Sequence, residues 1–165
     1  MNDAHLHLLV NHFPIIGTII GLGILIAGIA LKNKAVKNTA FVVLIVAAVF
    51  GFASMSTGEG AEELVEDMPS VGKKIIHEHE ELAEKFVLIL YVTGAFALLS
   101  LIATAKNHSK AKLFTWITLL LTIVTVVLVK NVGTSGGEIR HTEIRANANS
   151  PEIAAPENGG EQEED

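Results

Sequence analysis

Seven histidines and no cysteine define the chemistry open to this chain. His5, His7 and His12 stand within eight positions in "DAHLHLLVNHFPIIG", directly before a long apolar run. His77 and His79 fall in "HEHEELAEK", and His141 ends "GGEIRH". Glu59, Glu63 and Glu138 are carboxylates that accompany them. Imidazole and carboxylate without thiolate suit zinc, copper(II), iron or nickel. Two imidazoles from different helices also suit a b-type haem with an apolar slot between them. Without cysteine there are no disulfides, no thiolate metal sites and no covalent haem attachment.

Spacing decides which of these groups can share one ion. His77 and His79 are two apart, about 200° around a helix, so a helix cannot aim both at one metal. His5 and His12 share a face but stand about 10 Å apart along the axis, which suits two sites rather than one. His77 with Glu81, and Glu59 with Glu63, are i,i+4 pairs able to chelate. Glu138 and His141 form the i,i+3 pair used in di-metal bundles. The competing reading of each histidine is an interfacial side chain near lipid headgroups. The competing reading of "EHEELAEK" is a solvated helix face with pairs such as Glu81 and Lys85. For the set as a whole, the alternative to a metal or haem site is a pH-sensitive surface.

The elements that must position these groups are membrane helices. Four blocks, 13–31, 39–56, 86–105 and 113–129, contain no charged residue. Each has about the length a helix needs to cross 30 Å of hydrocarbon. A globular core helix would carry charge on its outer face, and a barrel strand would alternate with period two. The fold class is therefore all-α: an integral membrane four-helix bundle of two helical hairpins, with helices extended on the outer side. Residues 1–145 form the membrane domain. The segment 146–165 has six acids and no base and reads as a disordered acidic tail. The first block is expected to remain in the mature protein, because no basic n-region precedes it.

Charge supplies the orientation. "KNKAVKN" and "KNHSKAK" hold six lysines and no acid. All 18 acidic residues lie on the other side with the remaining six cations. Short lysine loops belong in the cytoplasm. Both termini, the long loop 58–83 and every histidine except His108 then face the periplasm of a bacterial inner membrane. Within that loop Pro69 suits a turn or a first helical position, and Leu64, Val65, Ile75, Ile76 and Leu82 form an apolar stripe. Counted from midpoints at Leu22, Ala48, Ala95 and Leu121, all four helices bring His or Glu to one level, roughly 10 to 20 residues out. On that count His7 stands level with Glu63 and His79. Pro14 is expected to start the first helix. Gly133, Gly136 and Gly137 are expected to break the fourth and let His141 fold back toward His12. Gly17, Gly21, Gly28, Ala47 and Gly51 mark close helix contacts. Thr115, Thr118, Thr122 and Thr125 share one helix face, a packing face or, less simply, a polar path.

At "HLLVNHFPIIG" the sequence resembles a family of predicted four-span bacterial membrane proteins of unassigned function, with a His-Phe-Pro-Ile motif opening the first span. His7 and His12 through Ile15 carry the resemblance, with Asn11 where an aliphatic residue is more usual. His77 or His79 matches a histidine before the third span, and "SGGEIRHTEI" matches a Gly-Gly segment after the fourth. Thr134 and Ser135 stand where relatives often have another histidine. The resemblance covers about residues 5 to 145 and implies association with cytochrome or other redox modules.

The leading expectation is an outward His/Glu cluster that binds a transition metal (zinc, copper or iron) or haem b, for electron transfer or metal handling. Its ligands would be His7, His12, His79 and His141, supported by His5, His77, Glu59, Glu63 and Glu138. The expected partners are the lipid bilayer, a respiratory or redox protein and a second copy of the chain, with no nucleic acid. The alternative is a non-catalytic subunit that docks a partner through its acidic loop and tail. A transporter is weaker, because the spans lack charge and show no inverted repeat. No nucleophile–base pattern or phosphate loop identifies an enzyme.

Overall fold

A computed structural model describes residues 2–66, 68 and 71–145. Pro69 and the acidic tail 146–165 lie outside the described residues. The helices are α1 (Asp3–Val10), α2 (His12–Ala30), α3 (Lys34–Glu62), α4 (Lys73–Ala105) and α5 (Ala111–Arg140), followed by one 3-10 turn at Thr142–Ile144. The four apolar blocks coincide with α2 to α5, the first running on to the Leu31 cap, and the stretches Asp3–Ala30, Lys34–Glu62, Lys73–Ala105 and Ala111–Arg140 are each long and apolar enough to cross a membrane. The chain is an all-helical, multi-pass membrane protein.

The two hairpins α2–α3 and α4–α5 pack through α3 against α4, and α2 against α5 closes the ring. Leu25, Phe41, Leu44 and Leu90 are fully buried at its centre. Outward, Ile16, Ile20, Val46, Val49, Leu120 and Val127 are exposed, as side chains facing lipid should be. Small residues permit the close approach: a Cβ on Gly17 would meet Ala47 at 3.0 Å, and one on Gly28 would meet the backbone nitrogen of Lys37 at 2.8 Å. Along α5, Thr115, Thr118, Thr122 and Thr125 are buried, and each hydroxyl donates to the carbonyl four residues back. Thr125 also meets Thr93 and Thr118 meets Ser100, both at 2.9 Å. Such bonds between membrane helices contribute on average about 0.6 kcal/mol each. This face is a packing face.

Two expectations are corrected. Pro14 does not start the first helix. Helical structure begins at Asp3, where the Asn2 side chain caps the amide of His5, and Pro14 lies beyond a break at Asn11. Its missing N–H and its ring, which crowds the carbonyl four residues back, account for that break. The glycines of α5 do not interrupt it either. The helix runs unbroken to Arg140, because buried Val132 and Ser135 hold that stretch against the bundle.

The two tight loops end their helices identically. The amides of Lys32 and Asn33 bond to Ile29 and Gly28, and those of Asn107 and His108 bond to Thr104 and Ala103. This is the Schellman pattern, which needs a left-handed residue just past the cap and usually uses glycine. Here Lys32 (φ 51°) and Asn107 (φ 49°) take that conformation. Asparagine tolerates it, whereas lysine is strained there. Lys32→Gly should therefore stabilise the protein by about 1 kcal/mol, read as a raised unfolding midpoint in mild detergent. An unchanged or lowered midpoint would contradict the assignment of strain.

Candidate functional site

The proposed ligands separate into two inward histidines and a set that faces outward. Continuing the α2–α3 register, α1 lies along the outer end of α3. That placement turns His7 inward, where Nδ1 lies 3.1 Å from the carbonyl of Ser54 and 3.2 Å from the Thr57 hydroxyl. On the opposite hairpin His79 is half-buried between α4 and α5, and its Nδ1 lies 2.9 Å from Ser135 Oγ. Gly136 makes room for that ring: a Cβ there would come within 3.0 Å of His79 Cε1.

The Ser54 contact determines the tautomer of His7. The Ser54 carbonyl can only accept, so His7 Nδ1 carries the proton. Ser135 Oγ also lies 3.2 Å from the carbonyl of Val132, and with its hydrogen directed there it accepts from Nδ1 of His79. Both rings then keep Nε2 as a bare lone pair, and neither Nε2 has a partner among the described residues. A backbone or side-chain acceptor on Nδ1 with Nε2 free is how metal-bound imidazoles are usually held.

Both residues lie outside the apolar segments that cross the bilayer. Burial lowers the pKa of His7, partly offset by the Ser54 carbonyl, and nearby His12 lowers it further. Burial also lowers that of His79, with the charge of His7 acting the same way and Glu80 opposing. His7 thus lies near enough to influence His79, and both imidazoles are biased toward the neutral form, the one able to ligate.

The other expected ligands are elsewhere. His5, His12, His77 and His141 are exposed. His77 pairs with Glu80 and Glu81 on its own helix at 3.7 and 3.5 Å. His141 pairs with Glu143 at 2.9 Å. Arg145 donates to the Glu138 backbone carbonyl at 2.8 Å. Glu59 and Glu63 are exposed. His12 stands at the mouth of an apolar groove of about 400 Å³ between α2 and α3, lined by Phe13, Gly17, Val46 and Phe50 among others. Phe13 and Phe50 stack at its outer end, 4.4 Å between ring centres.

Levels also differ from the simple count. His7 is level with Ser54 and Thr57, not with Glu63. Gly94 packs on Ala48, and Gly51 on Leu90, so His79 stands about six to nine residues, roughly 9 to 13 Å, farther out than His7. Among the described residues no group of three or more His, Asp or Glu side chains is arranged to hold a metal ion. Ser54, Thr57 and Ser135 are the partners that sequence reading missed. Extending the Ser100–Thr118 and Thr93–Thr125 rows outward brings Ser135 within about one turn of His79, which was the available signal.

Outside this pair the outer end is acidic. Glu62 of α3 and Glu80 of α4 approach each other, and their shared hydrogen bond holds the Glu62 carboxyl above the usual range, with some help from burial. Lys73 pairs with Glu66 at 3.2 Å, and Lys85 with Glu81 at 3.1 Å. Ile76 is buried and Leu82 packs on the core, whereas Leu64 is exposed.

A closed ring of four membrane-length helices, with two imidazoles turned into its mouth, defines a small polytopic membrane protein of the four-span class. The chain belongs to the DUF2231 family of predicted membrane proteins, whose model matches residues 4–143. That match includes both His7 and His79. No curated protein and no solved structure matches the chain.

Proposed function

We propose that the outer mouth of the bundle binds a metal-centred redox group through His7 and His79, and that the group is haem b rather than a bare ion. The observation that supports this reading is the shared anchoring: each half-buried imidazole sets Nδ1 against a protein oxygen, and its Nε2 has no partner among the described residues. A bare zinc or copper ion asks for three or four protein ligands. Haem iron already has four porphyrin nitrogens and asks for one imidazole on a face. Single imidazoles offset along the axis therefore fit haem better than they fit an ion. Bound haem would supply one-electron chemistry. The residues would do the rest: Ser54, Thr57 and Ser135 orient the rings, and Phe86, Val87 and Val132 keep the adjoining core dry. Metal handling by the same two histidines is the version that applies if an ion binds instead.

The setting proposed with it is the bacterial inner membrane, with both termini and the histidine mouth periplasmic and a respiratory protein as electron partner. The charge asymmetry of the loops supports that orientation. A second reading, a subunit that docks a basic partner, is favoured by the Glu62–Glu80 pair and its acidic surroundings.

The test uses asparagine. Its amide reproduces the Nδ1–H donor but has no Nε2 lone pair. The protein is purified from membranes grown with iron, zinc and copper available, and its visible spectrum and metal content are measured. A Soret band is expected in the wild type and should be lost or shifted in His7→Asn and His79→Asn without loss of the folded protein. Neither a Soret band nor stoichiometric metal in the wild type would end the proposal.

A further inference from the structure

We infer that the lysine end of the bundle is a binding surface for the phosphate headgroups of anionic lipids. The inference rests on the chain's being a membrane protein and is independent of any haem. Lys32, Lys34, Lys106, Lys110 and Lys112 are exposed there, and Lys37 is half-buried with its stem against Gly28. No acid occurs between Asp3 and Glu59, or between Glu84 and Glu138. Neither lysine loop therefore carries an acid of its own to neutralise these cations, and none of them forms an ion pair among the described residues.

Geometry gathers them. Lys34 Nζ of the first loop donates to Asn107 Oδ1 of the second at 3.1 Å, so the two hairpin tips are clasped and present one basic face. Lys32 holds the left-handed turn position that usually falls to glycine. A charge kept where it strains the backbone points to a use for the charge. The face begins where the apolar blocks end, at residues 31 and 113, which is the level of lipid phosphates. Trp116, exposed one turn from Lys112, is the amphipathic ring expected at that depth. The amide of Lys110 donates to His108 Nδ1, so the neutral ring carries its proton on Nε2 and adds a donor. Charge complementarity and depth together favour a lipid headgroup over a soluble anion or an acidic protein. Basic residues next to membrane helices attract anionic lipid additively.

The experiment compares the full chain in phosphatidylcholine nanodiscs with nanodiscs that also contain cardiolipin, reading the melting temperature, and counts lipids retained in native mass spectrometry. Cardiolipin should raise the melting temperature and remain bound. The variant K106Q/K110Q/K112Q should melt as the wild type does in phosphatidylcholine and bind cardiolipin on the order of a hundredfold more weakly. Inorganic phosphate should not reproduce the shift. Equal melting of the wild type in both lipids, full retention by the variant, or an equal shift with free phosphate would each overturn the inference. If the variant does not fold, the wild-type arms and Lys106→Gln decide it.

Discussion

Gly28→Ala should destabilise the protein by about 1–3 kcal/mol, although it adds one methyl group. A Cβ at that position would sit 2.8 Å from the backbone nitrogen of Lys37 and 3.1 Å from its Cα. Neither atom can rotate away, so α2 and α3 must part at the foot of their hairpin. Gly94→Ala should cost a similar amount, since its Cβ would meet that of Ala48 at 2.6 Å and separate α3 from α4. Gly23→Ala is the internal control. Nothing lies within 4 Å of its added Cβ, and alanine suits a helix interior better than glycine by up to about 1 kcal/mol. The order of stability expected on titrating sodium dodecyl sulfate into dodecyl maltoside micelles is Gly23→Ala at or above wild type, then the other two well below. If all three behave alike, close helix contact is not what holds the bundle.

The same glycines show how much of this architecture was legible in one dimension. Spacing alone marks Gly17, Gly21, Gly28, Ala47 and Gly51 as contact points, and each lies at one, because a membrane helix leaves few other ways to bring backbones together. The uncharged blocks declared the spans for an equally simple reason, the cost of burying charge in hydrocarbon. The outer layer was harder. Counting from span midpoints treats each helix as straight and centred, and that placed His7 beside Glu63. In the fold α1 follows the α2–α3 register, so His7 meets Ser54 and Thr57 instead. Which histidine turns inward is a question of helix phase and neighbour. His77 and His79 differ by two positions in sequence, yet one is solvated among Glu80 and Glu81 and the other is held by Ser135. The glycines of α5 misled because the same residue that can break a helix can also make room for a ring, as Gly136 does for His79.

That inward placement makes stability depend on pH in a defined direction. The folded-state pKa values of His7 and His79 lie below the ordinary value of 6.5, chiefly through burial. The unfolded chain then binds more protons than the folded one below neutrality, so stability rises with pH in that window. The contribution is fully present above about pH 6.5 and is lost as pH falls from there through the two folded-state values. The carboxylates act elsewhere. Glu62, raised by its bond to Glu80, contributes stability below 4.5 that is lost as pH rises through its folded value. Glu143, lowered by its own backbone amide and then by His141, contributes above 4.5 and loses that contribution on acidification. Between about pH 7 and 5.5 the wild-type melting temperature should therefore fall steadily. The double variant His7→Asn/His79→Asn keeps donors toward Ser54 and Ser135 but cannot titrate, so its melting temperature should be nearly flat there. The single variants should fall in between, and not as the average of the two. The charge of His7 contributes to holding His79 neutral, so removing His7 eases protonation of His79 and shifts its transition upward. A double variant with the wild-type slope would place the titration on exposed His5, His12, His77 or His141, and the two inward imidazoles would then have no part in it.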